Sequence, residues 1–190
     1  MKTMKYSNPT KALFLATASL FLVSCSDDNN GPVNEEEVIT TVITTLTNGS
    51  TTITLTSRDL DGDGPNPPAV TVSGDLTANT VYNGEITFLN ETVTPADNIT
   101  AEVEEEGEEH QIFYQIPSAL GTIGYTDFDV NAKPVGLTFT YTTGNAGTGN
   151  LTVTLRHLPN KSAAGVAAGD ITNAGGATDA QVTYPIVIAN

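Results

Sequence analysis

Residues 137–155, LTFTYTTGNAGTGNLTVTL, decide the fold class of this chain. Apolar residues alternate with threonine in both halves, and the Gly-rich run 144–149 separates the halves. A period of two places every apolar side chain on one face, as in a half-buried β-strand, and glycine clusters favour turns. The stretch therefore predicts two strands joined by a turn.

The same alternation recurs along the chain, separated by turn-rich segments. It predicts about nine strands. They are Val38–Leu46, Thr52–Thr56, Val70–Val72, Tyr82–Phe88, Ile99–Val103, Ile112–Ile116, Leu137–Tyr141, Leu151–Leu155 and Val182–Ile188. Residues 161–180 are rich in Ala and Gly and predict a long loop. The pattern indicates an all-β domain, and we expect an immunoglobulin-like β-sandwich.

The first 24 residues have the three parts of a secretory signal peptide. Lys2, Lys5 and Lys11 precede a largely apolar run over 12–23, and the small Ser24 follows. A helix needs about 20 apolar residues to cross a bilayer, so this run is too short to be a membrane anchor.

Leu22-Val23-Ser24-Cys25 resembles the lipobox of bacterial lipoproteins. The resemblance implies cleavage before Cys25 and attachment of acyl chains, palmitate among them, to its thiol. Multiple acyl chains hold a protein firmly on a membrane. We therefore expect a signal peptide over 1–24, an acylated tether over 25–36 and a β-sandwich over 37–190. Cys25 is the only cysteine of the chain, so no disulfide forms within it.

Residues 26–30, SDDNN, are similar to the acidic export signal of surface lipoproteins in the Bacteroidota. This resemblance implies a domain anchored on the outer membrane and facing the cell exterior. The alternative is a plain hydrophilic tether, with the domain facing the periplasm.

Several longer strings are similar to a family of small Bacteroidota lipoproteins of unassigned function. They are TSRDLDGDGPNPP at 56–68, FLNET at 88–92, EEEGEEHQIFYQI at 104–116, LRHLPNKSA at 155–163 and DITNAGGATDA at 170–180. Such proteins often carry the label "type 1 periplasmic binding fold superfamily". That fold is a two-lobed α/β structure, which the strand pattern does not predict. The resemblance implies a location and a size rather than an activity.

The charge of the chain limits its partners. The net charge is -15, and beyond the predicted signal peptide only Arg58, Lys133, Arg156 and Lys161 oppose 22 acidic residues. Nucleic acid is excluded as a partner because phosphate binding needs a basic surface. The expected partners are the membrane, through the lipid anchor, and an outer-membrane protein.

Asp59, Asp61 and Asp63 alternate with Leu60 and Gly62, like the first half of a calcium loop. Alternating oxygens surround the ion in such loops, and calcium is the cofactor that this spacing suggests. The position of the usual bidentate glutamate holds Val70 instead. An acidic turn between two strands is the alternative.

His110 and His157 form a second candidate site. His110 has the parity of Ile112 and Tyr114, and His157 that of Val153 and Leu155, so both imidazoles should lie on or near the core face. If their strands are neighbours, they could bind a transition metal together with a carboxylate. The alternative is two hydrogen-bonded histidines beside a solvated acidic run over 102–109.

No catalytic residue is predicted, because the sequence lacks a nucleophile elbow and a phosphate loop. We expect a non-enzymatic lipoprotein that acts as a binding or accessory module. One alternative captures a metal ion or ligand for an outer-membrane transporter, and another is a purely structural envelope protein.

Overall fold

The computed structural model describes residues 37–62 and 64–190. This part of the chain is built mainly of strands. They are β1 (Thr41–Asn48), β2 (Thr51–Arg58), β3 (Ala69–Val72), β4 (Leu76–Thr77), β5 (Val81–Leu89), β6 (His110–Gln115), β7 (Gly121–Tyr125), β8 (Thr138–Thr143), β9 (Gly147–His157) and β10 (Ala177–Ala189). One α-helix, α1, covers Ile99–Glu105. Single 3-10 turns lie at Ser118–Leu120, Val166–Ala168 and Ile171–Asn173.

The strands form two sheets around one core. The six-stranded sheet has the order β3-β2-β1-β5-β8-β7, and the four-stranded sheet has the order β4-β10-β9-β6. Alternate residues of both sheets are buried in a common apolar cluster. Tyr184 of β10 donates a hydrogen bond from its hydroxyl to the Val42 carbonyl of β1 at 2.9 Å, which links the sheets across the core. The all-β prediction is confirmed, whereas the immunoglobulin-like arrangement stays a prediction.

One predicted strand is wrong. Residues Ile99–Val103 lie in α1, where Ile99 and Val103 are buried and Ala101 is exposed. Residues four apart lie on the same face of a helix and also on the same face of a strand. The burial of Ile99 and Val103 is therefore compatible with either structure. The sequence pattern also did not predict β4 and β7. The described residues form ten strands instead of the expected nine or so.

The predicted loop over 161–180 covers the outer side of β6 before β10 begins at Ala177. Gln111 of β6 donates from Nε2 to the Val166 carbonyl at 2.8 Å, and Phe113 packs against Val166 and Ala174. The loop therefore closes over the strand that starts at His110. Within the described ranges, no helix is long and apolar enough to cross a membrane.

Candidate metal centre

The two histidines of the chain face each other across two neighbouring strands. His110 is the first residue of β6 and His157 is the last residue of β9, and the antiparallel register pairs them directly. Their ring centroids are 4.7 Å apart. Both residues are buried, as their parity with the neighbouring core residues predicts. The structure thus meets the condition on which the predicted metal site depended.

Two carboxylates that no sequence pattern predicts complete the cluster. Asp179 is the extra residue of a β-bulge, because Thr178 pairs with Arg156 and Ala180 with the adjacent Leu155. A bulge redirects the side chain of its extra residue. Glu37 lies in the segment that precedes β1. One nitrogen or oxygen of each of the four residues lies within 4.8 Å of the others.

His110 presents a nitrogen to these carboxylates. Its Nδ1 lies 3.2 Å from the Glu106 carbonyl, which can only accept, so this nitrogen carries the proton. Its Nε2 lies 2.8 Å from Glu37 Oε1 and 3.8 Å from Asp179 Oδ2. Nε2 has no hydrogen-bond partner of good geometry among the described residues. A bare lone pair would repel the carboxylates, so Nε2 needs either a proton or a cation there.

His157 uses its two ring nitrogens in the opposite way, with Nδ1 towards the inner carboxylates and Nε2 away from them. Its Nδ1 lies 3.9 Å from Asp179 Oδ1 and, in the described part of the chain, has no hydrogen-bond partner. Its Nε2 faces the half-exposed Glu109, whose Oε2 is 3.6 Å away. Metal-binding histidines usually direct their second nitrogen to a carbonyl or carboxylate, which fixes the ring. Glu106 and Glu109 supply these outer acceptors, both from the turn between α1 and β6.

The two inner carboxylates are buried and destabilise each other. The side chains of Glu37 and Asp179 are 6% and 4% exposed. Burial, and then the charge of Glu37, raises the pKa of Asp179 to about 6, although the imidazoles oppose the shift. Glu37 Oε2 and Asp179 Oδ2 both lack hydrogen-bond partners among the described residues. Buried polar atoms are normally paired, so the centre is short of positive charge and of donors.

An open cavity of about 510 Å³ adjoins the centre. Glu37 and Asp179 line it together with Asp59 and Gly62 of the acidic turn. The cavity therefore borders the carboxylates of the cluster, and neither histidine lines it.

The acidic turn makes hydrogen bonds of its own. Asp59 Oδ1 accepts from the Gly62 N–H at 3.0 Å, and Asp61 Oδ2 accepts from Asn66 Nδ2 at 2.7 Å. This hydrogen bond from Asn66 lowers the pKa of Asp61. Asp63 and the predicted lipid-attachment residue Cys25 lie outside the described residues. The calcium site at Asp59, Asp61 and Asp63 stays a prediction.

The acidic run over 102–109 is divided by the fold. Its first part lies in α1 and its second part forms the turn into β6, rather than the strand, loop and strand that we expected. Glu106, through its carbonyl, and Glu109, through its carboxylate, face the histidines. The spacing of residues in the sequence did not predict that Glu37 and Asp179 belong to the site. Asp179 reaches it through a β-bulge, and Glu37 lies in a segment far away in sequence.

Fold and site together define a β-rich domain with a buried cluster of two histidines and two carboxylates. No protein-family model matches the chain, and no curated protein or solved structure matches it significantly. The resemblance to small Bacteroidota lipoproteins remains an expectation from the sequence.

Proposed function

We propose that this protein is a lipid-anchored, non-enzymatic binding module whose ligand is one divalent transition-metal ion. The observation that carries the proposal is the convergence of His110 Nε2 and His157 Nδ1 on the buried carboxylates of Glu37 and Asp179. Each imidazole turns its other nitrogen outward to an acceptor. That division of roles is the one that metal-binding histidines use.

Charge supports a divalent ion. Two neutral imidazoles and two carboxylates carry a total charge of −2, which one divalent cation cancels. Without such a cation, a buried pair of charged carboxylates destabilises the folded state, and the pKa of Asp179 is raised for the same reason. The ion would supply both the missing charge and the missing partners.

The donor set favours a transition metal over calcium. Imidazole nitrogen suits zinc, copper, iron and nickel, whereas calcium and magnesium take oxygen ligands. Tetrahedral zinc at about 2.0–2.1 Å from its ligands places the ligand atoms about 3.3 Å apart. One ligand atom from each of the four residues lies within 4.8 Å of the others, so the side chains would have to move inward to close the site on zinc.

The location of the module is part of the proposal. The lipobox at 22–25 supports acylation at Cys25, and the acidic residues after it support the outer membrane, with the domain facing the cell exterior. A metal-binding module placed there could capture ions for an outer-membrane transporter. The open cavity beside the carboxylates favours this exchangeable role over a purely structural one.

Metal titration tests the proposal. Chelator-treated protein should bind one equivalent of zinc when it competes with a chromophoric chelator at pH 7.5. His157→Asn should weaken binding by about 100-fold or more, because loss of even an outer-shell partner costs about 10–100-fold. Glu105→Gln, a carboxylate on α1 outside the cluster, is the matched control and should bind as the parent does. Equal affinity in the parent and His157→Asn would contradict the assignment, as would no binding of zinc, cobalt or copper.

Anchoring has its own test. Cys25→Ala should accumulate as an unprocessed precursor that takes up no labelled palmitate, because the acylated thiol is what commits the precursor to cleavage in lipoproteins. The label and the apparent mass in cell fractions are the measurements. Normal labelling of this variant would rule out Cys25 as the lipid attachment site.

A further inference from the structure

The fourth ligand of the centre does not belong to the sheet that carries the other three. His110, His157 and Asp179 lie on β6, β9 and β10 of the four-stranded sheet. Glu37 lies in residues 37–40, here called the lead-in segment, which continues into β1 of the six-stranded sheet. An ion held by all four residues would therefore join the lead-in segment to the opposite sheet.

Little else holds the start of the lead-in segment. No backbone hydrogen bond joins residues 37–39 to the other described residues, and the first one is from Thr40 N–H to the Leu89 carbonyl at 3.0 Å. Val38 is 55% exposed, whereas Ile39 packs partly against the core. Segments with few backbone hydrogen bonds open at low free-energy cost. The Glu37 carboxylate is thus the main polar link between this segment and the four-stranded sheet.

Without a cation, the link through Glu37 brings two carboxylates together inside the cluster. The side chains of Glu37 and Asp179 are both buried, so little water screens their charges from each other. The cavity of about 510 Å³ borders Glu37, Val38 and Ile39 and leaves space into which the segment can move. A divalent ion would turn the repulsion between the two carboxylates into shared coordination.

We propose that the metal ion is a clasp, which seats the lead-in segment on the four-stranded sheet when it binds and releases that segment when it leaves. This inference rests on the proposed metal-binding function. Residues 25–36 connect Cys25 to Glu37 along the chain. Binding of the metal would consequently fix the position of the lead-in segment, which is the end of the domain that joins the lipid-bearing tether.

Hydrogen–deuterium exchange on the full mature protein in detergent tests the clasp. Saturating zinc should slow exchange about tenfold or more at the amide of Thr40, the first hydrogen-bonded amide of the lead-in segment, because opening then requires loss of a metal ligand. Amides of β8, a strand that carries none of the four ligands, should change little. Calcium at the same concentration should leave the exchange rate of the Thr40 amide unchanged.

The matched variants are Glu37→Gln and Glu85→Gln, the second an exposed carboxylate on β5. Glu37→Gln should still bind zinc through the three remaining ligands, more weakly, but should lose the protection of the Thr40 amide. Glu85→Gln should keep it. If zinc binds the parent without protecting the Thr40 amide, or protects it equally in Glu37→Gln at saturation, the clasp is wrong while the metal site stands. If the parent binds no metal, both proposals fail.

Discussion

Saturating zinc should raise the melting temperature of the metal-free protein by about 8–16 °C. A ligand that binds only the folded state at about 1,000 times its dissociation constant stabilises that state by about 4 kcal/mol. For a domain of this size, each kcal/mol raises the melting temperature by about 2–4 °C. The physical source of the gain is the buried pair Glu37 and Asp179, whose charges the ion neutralises. Differential scanning calorimetry in a chelator, and then with excess zinc, gives the measurement.

The double variant His110→Asn, His157→Asn is the control for that experiment. It removes both nitrogen donors and should retain only a small part of the zinc-dependent rise. Magnesium and calcium should not replace zinc in the parent protein, since neither ion favours imidazole. A rise of the same size in the double variant would show that zinc acts elsewhere on this acidic chain, and no rise in the parent would remove the proposed function.

Asp179→Asn should change stability in opposite directions with and without metal. In the metal-free protein, burial and Glu37 raise the pKa of Asp179 from 3.8 to about 6. Between these values the folded state holds a proton that the unfolded state has lost, so this group makes the folded state less stable as the pH rises from about 4 to about 6. Asparagine does not titrate and removes that loss. At pH 7 in chelator, the variant should be more stable by roughly 1–2 kcal/mol.

With zinc bound, the parent protein should be more stable than Asp179→Asn. Asparagine lacks the anionic oxygen, so the variant should bind the ion more weakly and gain less from it. Urea denaturation of both proteins at pH 4, 5, 6 and 7, with chelator and with zinc, measures both effects. Asp97→Asn, an exposed carboxylate outside the centre, should leave both curves unchanged. If Asp179→Asn is the less stable protein in chelator at pH 7, the description of this carboxylate as an unfavourably buried charge is wrong.

The fold class could be predicted because period-two alternation reports burial directly. The alternation in residues 137–155 predicts which of their side chains are buried, and the structure confirms it. The core contains Phe139, Tyr141, Leu151, Val153 and Leu155. The prediction failed where a pattern was too short to separate the two periodicities. Ile99 and Val103 fit one face of a strand and one face of a helical turn equally well, and the structure places them in α1.

The site could be predicted only in part, for a different reason. Parity placed His110 and His157 towards the core, but their pairing needed the order of β6 and β9, which the sequence does not encode locally. Asp179 reaches the centre through a bulge between Thr178 and Ala180. Glu37 reaches it from the segment that precedes β1 of the other sheet. Both carboxylates result from tertiary structure, and no spacing in the sequence marks them out among 22 acidic residues.

An anomalous difference map at the zinc edge, from crystals of the zinc-loaded protein, tests the metal centre most directly. We expect one strong peak at about 2.0–2.2 Å from His110 Nε2, His157 Nδ1 and oxygens of Glu37 and Asp179. The outer nitrogens should keep their contacts with the Glu106 carbonyl and the Glu109 carboxylate. A zinc-saturated crystal with no peak among these four side chains, or with its peak on the Asp59–Asp61 turn instead, would rule out this centre.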